Sequence, residues 1–229
     1  MGSALGRPPS IPYGGMQMKR VFLVVTLVAG AVAPAAAQWA GMPVWNSPKG
    51  GTGITISGDY GKPNSDYGSG SAFGARGTVG LGSLSITAGL ASYKPSGAPS
   101  SATSLGGTAA FRVIGGSLLP VNVNLLAGGA RTTADSVPNL TTIVAGGGVS
   151  VSLPTPGLTI EPYFSLTNRW LKLSGVSGTE SNIGWTIGAN LGLGMMGAHI
   201  AYDSQKLPGG GTGGIIGLGI HLGLSVPGL

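Results

Sequence analysis

The residues that could do chemistry in this chain are few: His199 and His221, the six carboxylates Asp59, Asp66, Asp135, Glu161, Glu180 and Asp203, and no cysteine. A histidine oriented by a carboxylate is a general base, and His199 and Asp203 share one face of an extended segment. Four residues of strand separate them by roughly 13 Å of backbone rise, so they do not meet directly. Without cysteine there is no thiol nucleophile, thiolate metal site or disulfide. The histidines lie on different segments and no acidic loop has calcium-ligand spacing, so no metal and no cofactor is expected. The glycine runs 146–148 and 209–211 lack the lysine and helix of a phosphate cradle. An enzyme is not expected.

What positions these residues is a series of segments in which apolar residues alternate with small or polar ones. Leu84, Ile86, Ala88 and Leu90 share one face, opposite Ser85, Thr87, Gly89 and Ala91. Ile183, Trp185, Ile187, Ala189 and Leu191 likewise oppose Gly184, Thr186, Gly188 and Asn190. Short links near Gly82, residues 115–117, residues 153–157 and Gly194 alternate with longer polar ones at 61–70, 94–101, 130–139, 171–181 and 204–211. The pattern predicts an all-β fold, an up-and-down antiparallel transmembrane β-barrel of about ten strands, with eight as the alternative. The barrel is expected over residues 54–229. Glycine, serine, threonine or asparagine interrupts every later apolar stretch, so a closed barrel is the structure that satisfies the backbone in lipid.

Lys19 and Arg20 precede an apolar run over 21–32 and the small residues Ala35, Ala36 and Ala37. These are the three parts of a secretory signal, cleaved after Ala37, with translation beginning at Met16 or Met18. Residues 1–37 are thus read as an over-extended start plus signal peptide, and 38–53 as a periplasmic N-terminal lead. Net charge falls from +6 to +3 once Arg7, Lys19 and Arg20 leave with the leader, too little to argue for nucleic acid.

The outward set, including Ile56, Phe73, Leu90, Leu105, Phe164 and Ile220, carries no charge. Tyr60, Phe73, Trp170, Trp185 and Tyr202 fall beside the longer loops, as an interfacial aromatic girdle would. The same register turns Asp59, Arg76, Arg112, Glu161, Tyr163, Arg169, His199, Asp203 and His221 inward. Arg112 and Glu161 should sit at similar depth and form a bridge inside the barrel, because each would otherwise be an uncompensated buried charge. Arg76, Arg112 and Arg169 together would form a basic track that favours anions.

On this pattern of strands, turns and faces the chain resembles the small outer-membrane β-barrels, including the transmembrane domain of OmpA and OmpX-like proteins. The resemblance implies residence in a bacterial outer membrane, contact with the bilayer and lipopolysaccharide, and insertion by the barrel-assembly machinery. Many members end in a strand with a final aromatic; here the last residues are Val226, Pro227, Gly228 and Leu229. Omptin-like proteases also have about ten strands, but their rim constellation of three aspartates and a histidine has no equivalent here. The expected role is structural or that of a narrow, weakly anion-favouring passage. The alternative is loop-mediated binding or adhesion through Tyr67, Lys94, Arg131, Asp135, Lys172, Glu180 and Lys206. The solute, the oligomeric state and the openness of the lumen are not legible in the sequence.

Overall fold

A computed structural model describes residues 38–116, 119–135, 137–207 and 210–224. The expected leader at 1–37 and the terminal residues 225–229 lie outside the described residues. The strands are β1 (Gly51–Pro63), β2 (Ser71–Gly82), β3 (Leu84–Lys94), β4 (Ala102–Ile114), β5 (Val121–Thr133) and β6 (Leu140–Val151). They continue with β7 (Leu153–Thr155), β8 (Leu158–Leu173), β9 (Glu180–Leu193), β10 (Met196–Lys206) and β11 (Thr212–Leu224). Each pairs antiparallel with its neighbour; β6 and the short β7 both pair with β8, and β1 pairs with β11, so the sheet closes. With β7 prolonging the line of β6, the barrel has ten staves. Closure removes both sheet edges, as a lipid setting demands.

Five connections, at 64–70, 95–101, 134–139, 174–179 and 207–211, gather at one end, called here the loop end. The opposite turn end holds three tight links and the six-residue connection 115–120. Between β2 and β3 a left-handed Gly82 (φ +78°) lets the chain reverse with a single residue, Ser83, between the strands.

Around the outside the alternation delivers an apolar wall: Phe73, Leu90, Leu105, Phe164, Ile200 and Ile220 are all exposed. Isolated exposed leucines are ordinary in a protein surface, but an apolar band on every stave is a face built for hydrocarbon. Tyr60, Phe73, Trp170, Trp185 and Tyr202 lie toward the loop ends of their strands. Tyr60 meets Phe73 with ring centroids 5.2 Å apart, and Trp185 meets Tyr202 at 5.5 Å.

The inside departs from expectation. Of the expected periplasmic lead at 38–53, residues 38–50 run through the lumen from the loop end to the turn end, and 51–53 already belong to β1. Trp39, Met42, Val44 and Trp45 are buried there and form the core with wall residues Ala72, Ala91, Leu126, Ala130, Val144 and Tyr163. A stretch carrying two tryptophans, a methionine and a valine gains by leaving water, and the narrow bore supplies the surface to bury them against. Glycine at particular inward positions leaves the plug its room. A methyl group at Gly217 would overlap Pro43 and Trp45, one at Gly61 the backbone of Gly41, and one at Gly148 the Asn46 amide.

Candidate functional site

The lumen and its plug are the candidate site, and the plug is held at three levels. At the loop end Trp39 Nε1 donates to Gly89 O (2.9 Å) and Ala40 N to Ser104 Oγ (3.0 Å). Met42 N closes a turn on Trp39 O (3.0 Å) through a left-handed Gly41, φ +72°. A side chain at Gly41 would strike Ala72 and Tyr93, so both backbone and space require glycine there.

At mid-depth Val44 N donates to Asp203 Oδ2 (3.2 Å). Asp203 also accepts both terminal nitrogens of Arg169, each at 2.7 Å, and the Thr186 hydroxyl at 2.6 Å. Arg169 completes its fork on Thr167 Oγ1 (3.1 Å) and Gln205 Oε1 (3.0 Å). Both charged side chains are 0% exposed. Two fully desolvated charges are tolerable because the pair is bidentate and its remaining hydrogen-bonding groups are satisfied. Gly184, between Thr167 and Gln205 in the sheet, leaves the gap the guanidinium lies across.

Lower, Asn46 exchanges amide hydrogen bonds with Asn124 (3.1 and 2.8 Å), donates to Ser165 Oγ (2.9 Å) and accepts from Asn190 on its carbonyl (3.1 Å). Glu161 is the anchor of the turn end. It accepts from Ser47 Oγ (2.8 Å), Lys49 N (2.8 Å), Ser150 Oγ (2.7 Å) and Asn190 Nδ2 (3.1 Å). Arg112 donates to the Lys49 carbonyl. The direct Arg112–Glu161 bridge expected from their common depth is therefore absent: the two hold the carbonyl and the N–H of one plug residue, Lys49, instead.

A second charged group lies behind Trp45. Asp59 accepts from Arg76 Nε (2.8 Å) and contacts His199 Nε2 (2.6 Å). His199 Nδ1 faces His221 Nδ1 at 3.3 Å, with the rings nearly parallel. Trp45 stands edge-on to His199 (centroids 4.5 Å apart) and beneath the Arg76 guanidinium (5.1 Å). The register explains the meeting. Asp59 and His199 each pair with Gly219 from opposite sides, and a glycine between them lets their side chains join across two strand spacings. His199 thus has a carboxylate partner, but it is Asp59 from β1 and not Asp203.

All eight charged or polar lumen candidates, Asp59, Arg76, Arg112, Glu161, Tyr163, Arg169, His199 and His221, lie on inward faces. The arrangement does not leave a bare basic track. Arg76 is paired with Asp59 and Arg169 with Asp203, and Arg112 donates to the carbonyl of Lys49, whose N–H Glu161 accepts. Three carboxylates, Asp59, Asp203 and Glu161, lie on the same walls as the three arginines. Among the described residues no group of three or more potential metal ligands occurs.

Above and below the plug the lumen opens into two cavities. The turn-end cavity, about 480 Å³, has a mixed polar and apolar lining and reaches Arg76, Thr87, Glu161, His199 and His221. The loop-end cavity, about 550 Å³, is lined by Trp39, Tyr93, Val137, Leu140 and Leu171 among others. Tyr67, expected as an exposed loop residue, turns into this mouth and packs over Gly213. Its loop is pinned by Tyr93 Oη, which donates to Ser69 O (2.7 Å), and by Asp66 Oδ2, which accepts Thr212 N (2.9 Å). Burial pushes the Tyr67 phenol pKa above its ordinary value.

No family model and no curated protein matches the sequence. Solved structures do. The β domain of the Bordetella autotransporter BrkA matches with a TM-score of 0.50 at 11% identity, over 76% of this chain and 100% of that one. The N-terminal β-barrel domain of Pseudomonas aeruginosa OprF matches at 12% identity over 76% and 99% of the two chains, with a TM-score of 0.36. Neisserial surface protein A matches at 15% identity over 75% and 96%, with a TM-score of 0.34. At 11% identity the likeness to the BrkA β domain is one of fold alone, a closed antiparallel β-barrel.

Proposed function

We propose that this chain is an integral protein of a bacterial outer membrane whose lumen is held shut by its own N-terminal segment, making it a closed structural barrel at rest. Passage of ions or small solutes would need the segment to leave. One observation carries this reading: residues 38–50 fill the bore and hydrogen-bond to the wall at every depth. The apolar outer wall and the aromatics near the loop end support membrane residence with the loops outward. In that setting the natural contacts are acyl chains around the wall and lipopolysaccharide around the loops, with the assembly machinery acting at insertion. Cleavage after Ala37 would leave Gln38 as the first residue, at the loop end of the lumen.

Planar-bilayer recording on the refolded chain beginning at Gln38 tests the closed state. The wild type should be silent, and a chain lacking residues 38–49 should conduct with weak ion selectivity, because the wall charges are compensated. Steady conductance by the wild type would refute closure. If the shortened chain does not refold, Asn46→Ala combined with Glu161→Gln loosens the plug in the full chain and should give intermittent openings.

A second reading, ligand binding at the loop end, is favoured by the cavity above the plug.

A further inference from the structure

We propose that the loop-end cavity is a binding site for a neutral, largely apolar small molecule entering from the loop side. The volume, about 550 Å³, is that of a small-molecule pocket. Its floor is Trp39 of the plug, and its walls include Tyr93, Val137, Leu140, Leu171 and Ile215. Asp135 is the one charged side chain in the lining; a chain that begins at Gln38 adds an α-ammonium there, a charge the test neutralises. Polar contact is confined to a few groups, Gln38, Tyr67, Thr132, Thr142 and Gln205 among them.

The cavity is also built to stay open. Tyr93 ties down the 64–70 loop through Ser69 O, and Asp66 ties that loop to Thr212 at the start of β11. A preorganised apolar concavity with few polar groups gains affinity by displacing water without having to order its own walls. The ligand class follows: an uncharged aromatic or aliphatic molecule with few polar groups. A sealed, purely structural barrel needs no such concavity at the end away from its tight turns.

The site rests on the plug reading only for its floor. The test uses the chain beginning at Gln38, with that residue cyclised to neutral pyroglutamate, in phosphatidylcholine vesicles, with the neutral probe N-phenylnaphthylamine and its anionic relative anilinonaphthalene sulfonate. Vesicles carrying Ala102→Trp, which fills the cavity from β4, serve as the lipid-matched blank. Wild type should show saturable extra emission from the neutral probe at one site per chain, weakened at least tenfold in Ala102→Trp and absent for the anionic probe. Equal emission from both proteins, each folded by heat-modifiable migration, would overturn the proposal, as would preference for the anionic probe. If Ala102→Trp does not fold, Ala98→Trp fills the same cavity from the 95–101 loop. Binding by a wild type that also conducts would sink the closed-lumen reading and leave this site standing.

Discussion

The Arg169–Asp203 pair shows how single residues govern this lumen. Removing one partner strands a buried charge, so Asp203→Asn or Arg169→Leu should destabilise the barrel by about 3–5 kcal/mol, read as a lower urea midpoint for unfolding from vesicles. The double change Arg169→Leu with Asp203→Leu should recover most of that loss, which a simple loss of contacts would not. Tyr67 makes a separate prediction. Its phenol is pushed up by burial, so the folded chain retains a proton that the unfolded chain releases. Its contribution is complete below about pH 10 and declines as pH rises beyond it. Tyr67→Phe should flatten the fall of the urea midpoint in that alkaline range; an unchanged slope would show that the phenol is accessible.

Among the elements, the strands and their outward faces were legible because lipid enforces strict period-two alternation, as in Leu84, Ile86, Ala88 and Leu90. The inward residues were legible as a set but not as pairs. Asp59 meets His199 only through the β1–β11 closure and the empty face of Gly219, a register that local patterning does not encode. The plug was missed because 38–50 is short, aperiodic and without strand pairing. Two signals for it were present. Trp39, Met42, Val44 and Trp45 are too apolar for a solvated lead, and the inward glycines implied a bore wider than the wall residues could fill. Those glycines give an element-scale test: Gly217→Leu should expel Pro43 and Trp45, leaving the strands paired but exposing residues 38–50 to added protease. Undiminished protection would show that the bore has slack.

At the scale of the whole molecule, an apolar exterior meets lipid while the hydrophobic core, usually the centre of a soluble domain, is a peptide threaded through a polar tube. The central claim is that residues 38–50 occupy that tube in the membrane. It is tested most directly by cross-linking, which the cysteine-free sequence makes clean. With Met42→Cys and Gly74→Cys introduced together, a short bifunctional thiol reagent should join plug to wall in vesicle-embedded protein, changing the migration of the unfolded chain on gels. Met42→Cys paired with the outward-facing Leu105→Cys should not react in this way. Cross-linking of the first pair alone is the predicted result; no link in a folded barrel, or equal linking of both pairs, would contradict the plug.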